Sequence, residues 1–119
     1  MSSIEARLAE LGVTLPQPVA PVANYVPFVR SGALVHISGQ VSVDASGGVR
    51  GVVGEDVDLE TARRAARMCG VNMLAQMRAA ADGDLDRVVR VVKLGGFVQA
   101  GPNFFDIPQV VNGASDLMV

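Results

Sequence analysis

The chain has 119 residues, half of them hydrophobic, and its 10 basic and 12 acidic side chains leave a net charge of −2. That length suffices for one domain with a buried core, the charge argues against an electrostatic nucleic-acid footprint, and no apolar run reaches the roughly 18–20 residues of a membrane span. The single cysteine, Cys69, can form no internal disulfide, and a lone histidine without partner cysteines gives no zinc pattern, so no structural metal is expected.

At the N-terminus an early acid, Glu5, and the lack of a long apolar core give no export signal, and a cytoplasmic protein is expected. Ser2 followed by Glu5 has the spacing of a capping box; Ile4, Leu8 and Leu11 then recur at helical spacing until Gly12 offers a stop. A short amphipathic helix is predicted there. Pro16, Pro18 and Pro21 exclude regular helix and central strand, so an extended connector follows. Residues 26–29 begin a strand, Ser31-Gly32 is read as a hairpin turn, and the β-branched stretch 34–43 returns antiparallel to it before a turn at 44–48. Residues 49–54 read as irregular or edge strand.

Asp58 is a good N-cap for the main helix, with Leu59, Ala62, Ala66, Cys69, Met73 and Met77 on one face and Glu60, Arg63, Arg64, Arg67 and Arg78 opposite. Asp82-Gly83-Asp84 ends it. The run 88–94 reads as a strand covered on both faces, extended by Phe97-Val98, with a bulge at Gly95-Gly96. Residues 107–118 form a second long helix that tolerates Pro108 in its first turn. The result is an α+β domain whose two long helices cover one face of a mixed sheet, a sheet left incomplete because too few strands are present to pair its edges.

The most chemical feature is the end of the second strand, Ile37-Ser38-Gly39-Gln40, which delivers a hydroxyl, a bare backbone and an amide to one spot shortly after Tyr25. Such a spot suits a small polar ligand, although Ser38-Gly39 also fits a strand end with close backbone approach, and Tyr25 fits an amphipathic packing residue. His36 alternates with Val35 and Ile37 and has no nucleophile constellation around it. Cys69 sits among alanines and methionines as a small hydrophobe. The arginines at 63, 64 and 67 are offset by Asp56, Asp58 and Glu60 and read as a solvated helix face. Neither Gly-Gly pair has the spacing of a phosphate loop.

Tyr25, Ile37-Ser38-Gly39-Gln40, the segment Asp84-Leu85-Asp86-Arg87-Val88-Val89-Arg90 and Val111-Asn112 together resemble the RidA/YjgF family, also described as endoribonuclease L-PSP. The resemblance spans most of the chain, and the N-terminal helix, the Pro-rich connector and the 92–98 segment are most similar to its chorismate-mutase-like branch. It implies a chorismate-mutase-like α+β fold, a homotrimer with ligand clefts between subunits, and a small carboxylate metabolite as ligand. Well-known members hydrolyse 2-imino or enamino acids to 2-keto acids and ammonia without metal or organic cofactor. By resemblance, Tyr25, Ser38, Gly39 and Asn112 are ligand-binding residues. The family's carboxylate-binding arginine and water-orienting glutamate fall in two strands beyond Val119, so no catalytic residue is assigned, and a domain truncated at its C-terminus is expected. A non-catalytic metabolite-binding or regulatory trimer is the alternative; an endoribonuclease or translation inhibitor is a third, against which acidity and the lack of a basic, aromatic-rich surface count.

Overall fold

The computed structural model describes residues 3–18, 20 and 23–119. Ser2, Pro21 and their expected roles in the capping box and connector lie outside the described residues. Three α-helices, one 3-10 turn and two small antiparallel sheets form an α+β fold: α1 Ser3–Glu10, β1 Phe28–Ser31, β2 Leu34–Ile37, β3 Val43–Asp44, β4 Gly47–Gly48, α2 Leu59–Ala80, the 3-10 turn Leu85–Arg87 and α3 Ile107–Met118. The chain divides into two compact units, Met1–Gln40 with Val71–Arg90, and Val41–Gly70 with Val91–Val119.

In the first unit, β1 and β2 pair in the register Phe28↔Ile37, Val29↔His36, Arg30↔Val35 and Ser31↔Leu34. The loop is Gly32-Ala33, and Gly32 (φ +60°) takes the positive-φ first position of a tight hairpin turn. Helix α1 ends as expected, at Gly12 with φ +70°. Its start is capped from a distance: the Asp86 carboxylate accepts the Ser3 and Ile4 backbone N–H groups at 2.8 and 2.9 Å. The Asp84-Leu85-Asp86-Arg87 stretch is thus a structural junction. The Asp84 side chain caps the 3-10 turn by accepting the Asp86 N–H at 3.0 Å, Leu85 is 1% exposed, and Arg87 pairs with Asp82 at 2.9 Å. Arg78 of α2 pairs with Glu5 of α1 at 3.3 Å.

The second unit is organised around Val53, Val57, Ala62 and Val110, with Leu59, Ala66, Val98, Ala100 and Phe104 packed against them. Val53 is the hub, because its N–H donates to the Gln99 carbonyl and its carbonyl accepts from the Gly101 N–H, both at 2.9 Å. Asp58 caps α2 as expected, accepting the Thr61 N–H at 2.7 Å. The hydrogen bonds from Thr61 hold its carboxyl below the usual value of 3.8. Helix α3 crosses the first half of α2 very closely. A methyl group on Gly113 would collide with the Arg63 carbonyl, and one on Gly70 would lie 3.2 Å from Leu117.

Three expectations need correction. The run 88–94 does not form a strand; it has no regular secondary structure, and pairing begins only at Ala100, which bridges Val53 in parallel. β-Branched residues favour an extended backbone locally, but a ladder needs a partner strand, and here Val89 is 95%, Val92 71% and Phe97 103% exposed. Gly95-Gly96 is accordingly no ladder bulge. Gly96 instead lets the segment lie against α3, since a Cβ there would sit 2.9 Å from Val111 Cγ2. Finally, the predicted stripe of α2 holds over the first half of the helix, where Ala62 is buried and Leu59 and Ala66 pack against the core, but not over the second. Asn72, Leu74, Ala75 and Gln76 are all buried, so this part of the helix is enclosed nearly all round, while Cys69, Met73 and Met77 are only half-buried.

Candidate functional site

Pro27 sets the geometry of the polar turn. In the antiparallel register the next pair beyond Phe28↔Ile37 is Pro27 and Ser38, and the Ser38 N–H donates to the Pro27 carbonyl at 2.9 Å. The reciprocal bond is impossible because proline has no N–H. The Gln40 side chain supplies the missing donor, giving its Nε2 hydrogen to the Ser38 carbonyl at 3.0 Å. One residue further out, the Ser38 hydroxyl donates to the Val26 carbonyl at 2.6 Å. Ser38 and Gln40 therefore close the end of the ladder with their side chains, a role for Gln40 that the residue pattern alone did not single out.

Tyr25 directly precedes Val26, whose carbonyl this corner ties to the Ser38 hydroxyl. The Tyr25 N–H donates to the Ala23 carbonyl at 2.9 Å, and its side chain is 45% exposed. The hydroxyl proton of Ser38 is committed to Val26, so toward a ligand the oxygen offers only lone pairs.

Gly39 is different in kind. Its φ is not positive, and a Cβ built on it would meet nothing within 4 Å. Neither backbone conformation nor packing within the chain requires glycine there. Its N–H has no protein partner among the described residues, which leaves an exposed bare backbone donor at the end of the hairpin.

Asn112 belongs to the second unit, on α3, where it is exposed and its Oδ1 accepts the Ser115 hydroxyl at 3.2 Å. The other groups weighed from sequence supply no reactive centre. His36 is exposed on β2 opposite Val29. Burial pushes the Cys69 thiol up from its ordinary value of 9.0, which keeps it protonated and weakly nucleophilic. Arg64 and Arg67 are exposed, and Arg63 approaches Asp116 at 3.9 Å. Among the described residues no cluster of three or more His, Cys, Asp or Glu is placed to hold a metal ion, and no helix is long and apolar enough to cross a membrane. Asn72 and Gln76, 3% and 1% exposed and one turn apart on α2, are buried amides that the apolar reading of this helix missed. Their four-residue spacing inside an otherwise apolar stretch was the available signal.

Comparison with known proteins places these features in context. Residues 5–119 match the family model "YjgF/chorismate mutase-like, putative endoribonuclease". The chain is 44% identical over 117 residues to Protein TCP17 of Trypanosoma cruzi, covering 98% of this chain and 72% of that protein. Among solved structures it is similar to a protein of unknown function from Agrobacterium tumefaciens, with TM-score 0.86 and 51% identity over 96% of this chain and 70% of that one. It is also similar to a Shewanella oneidensis protein described as "a putative endoribonuclease", with TM-score 0.91 and 30% identity over 95% of this chain and 75% of that one. With a family model spanning nearly its whole length and a solved relative sharing half its residues, the chain belongs to the YjgF/chorismate mutase-like family.

Proposed function

We propose that this protein binds small carboxylate metabolites of the 2-keto and 2-imino acid class at the Tyr25, Ser38, Gly39 corner, in a homotrimer, and that it hydrolyses 2-imino acids. The observation that carries the binding reading is Gly39, a glycine the fold does not need, which is exposed and whose N–H has no protein partner among the described residues. A backbone N–H is a good donor to a carboxylate or to a developing oxyanion, and a missing side chain permits close approach. In the reaction, water adds to the imine carbon, its protons pass to nitrogen, and the C–N bond breaks to leave a 2-keto acid and ammonia. The resemblance of Tyr25, Ser38, Gly39 and Asn112 to the family's cleft residues supports this choice of substrate. Oligomerisation is supported by the apolar surface of the β1–β2 hairpin, where Val29 and Leu34 are 53% and 52% exposed.

The deciding experiment generates 2-iminobutyrate in situ and follows ammonia release with and without the protein. Acceleration proportional to protein concentration is expected, from a species that sediments as a trimer. No acceleration, with retained binding of 2-oxobutyrate, would leave a non-catalytic binding protein. That second reading is favoured by one observation, that neither the committed Ser38 hydroxyl nor the protonated Cys69 thiol is a base or nucleophile. The same preparation incubated with single-stranded RNA checks the ribonuclease function that the family description carries; intact RNA is expected.

A further inference from the structure

We infer that Ser38 is a positioning residue that acts on the ligand through Tyr25, an inference that rests on the assignment of Tyr25 to the ligand corner. The ladder proper stops at Phe28↔Ile37, three residues short of Tyr25. Pro27 cannot extend it with a donor of its own. Two bonds carry the chain beyond that point: the Ser38 N–H to the Pro27 carbonyl and the Ser38 hydroxyl to the Val26 carbonyl. The second is the shorter, at 2.6 Å, and it grips the residue directly after Tyr25. On the other side the Tyr25 N–H is held by the Ala23 carbonyl at 2.9 Å. Tyr25 thus lies between a local turn at Ala23 and an anchor to the hairpin at Val26, and that anchor's side-chain bond exists only because residue 38 carries a hydroxyl. The Gln40 amide, by satisfying the Ser38 carbonyl, holds residue 38 itself in place. The same geometry fixes the polarity of the contact. The proton of Ser38 points at the main chain, so a ligand is oriented by where Tyr25 is held and not by a hydrogen bond donated from Ser38.

The chain contains one tyrosine and no tryptophan, so its intrinsic emission excited near the tyrosine band reports Tyr25 alone. The experiment compares the parent protein with Ser38→Ala and with the near-isosteric pair Ser38→Thr and Ser38→Val, which differ in the hydroxyl. Tyrosine anisotropy and acrylamide quenching are measured without ligand. Lower anisotropy and stronger quenching are expected in Ser38→Ala and Ser38→Val, with Ser38→Thr returning both to the parent values. Should Ser38→Ala fail to fold, the Thr and Val variants answer the same question. Affinity for 2-oxobutyrate is then measured in a double-mutant cycle with Tyr25→Ala. Loss of one hydrogen bond should weaken binding about three- to tenfold in the parent background, but less than about twofold once the tyrosine is gone. Unchanged tyrosine emission in the hydroxyl-free variants, or an undiminished Ser38→Ala penalty in the Tyr25→Ala background, overturns the inference and makes Ser38 a direct ligand contact. The emission arm decides the matter even if 2-oxobutyrate does not bind, so failure of the proposed function is distinguishable from failure of this inference.

Discussion

Gly113→Ala is expected to destabilise the protein by about 1–3 kcal/mol, toward the upper end of what overpacking costs. The ordinary rule points the other way, because alanine in a helix interior is favoured over glycine by roughly 0.5–1 kcal/mol. Packing reverses the sign. Gly113 lies on α3 where that helix crosses α2, and an added Cβ would collide with the Arg63 carbonyl oxygen while lying 2.9 Å from the carbonyl carbon and 3.2 Å from Ala66 Cβ. The first two atoms are helix backbone, which cannot move aside as a side chain would. Relief requires the two helices to separate, thinning contacts around Ala62 and Val110 in the core of the second unit. Thermal unfolding followed by circular dichroism should show a midpoint lower by several degrees, at roughly 4 °C per kcal/mol for a domain of this size. A midpoint equal to or above the parent's would mean that the close crossing is not maintained in solution.

Leu85→Ala is expected to cost more, about 2–5 kcal/mol, as large-to-small changes at fully buried leucines do. Leu85 is 1% exposed and lies in a three-residue turn between the Asp84 cap and Asp86, which caps α1. The cavity therefore opens where two helix-end interactions meet, and loss of packing there frees the turn that presents Asp86. Urea unfolding should show a lower midpoint with an unchanged slope, and protease cleavage within α1 should accelerate in parallel. An Asp86→Ala variant separates the two effects, since it removes the cap and leaves the leucine in place.

These two sites also show where sequence reading reaches and where it stops. Asp84-Leu85-Asp86-Arg87 was legible as a distinctive motif, but not as a junction, because the partner of Asp86 is the start of α1, more than 80 residues away. The helices were legible almost to the residue: Asp58 caps α2, Gly12 ends α1, and α3 runs over the stretch anticipated for it despite Pro108. Their signals are local, in caps, periodicity and breakers. No strand forms over 88–98 because a strand is defined by its neighbour, and β-branched composition says nothing of whether one is present. The buried amides Asn72 and Gln76 escaped notice for a related reason, since burial all round a helix depends on what surrounds it. At the candidate site, residue identities were legible but bond directions were not. Nothing in Ser38-Gly39-Gln40 indicates that the hydroxyl faces Val26 and the amide faces Ser38. The second follows from the donor that Pro27 lacks, and both depend on a register only the fold defines.

Gly39 is the residue on which the account turns, because it separates stability from binding. A Cβ at position 39 meets nothing within 4 Å and the backbone there is not left-handed, so Gly39→Ala should leave the unfolding midpoint within the ordinary range of neutral surface changes. A ligand approaching the bare N–H would meet the new methyl group. The most direct test is a calorimetric titration of 2-oxobutyrate into the parent protein and Gly39→Ala, alongside their thermal midpoints. The account predicts equal midpoints, binding by the parent, and an affinity at least tenfold weaker in the variant, on the order of 1.4 kcal/mol. Equal midpoints with equal affinities, or no binding by the parent, would contradict the placement of a small-carboxylate site at this corner.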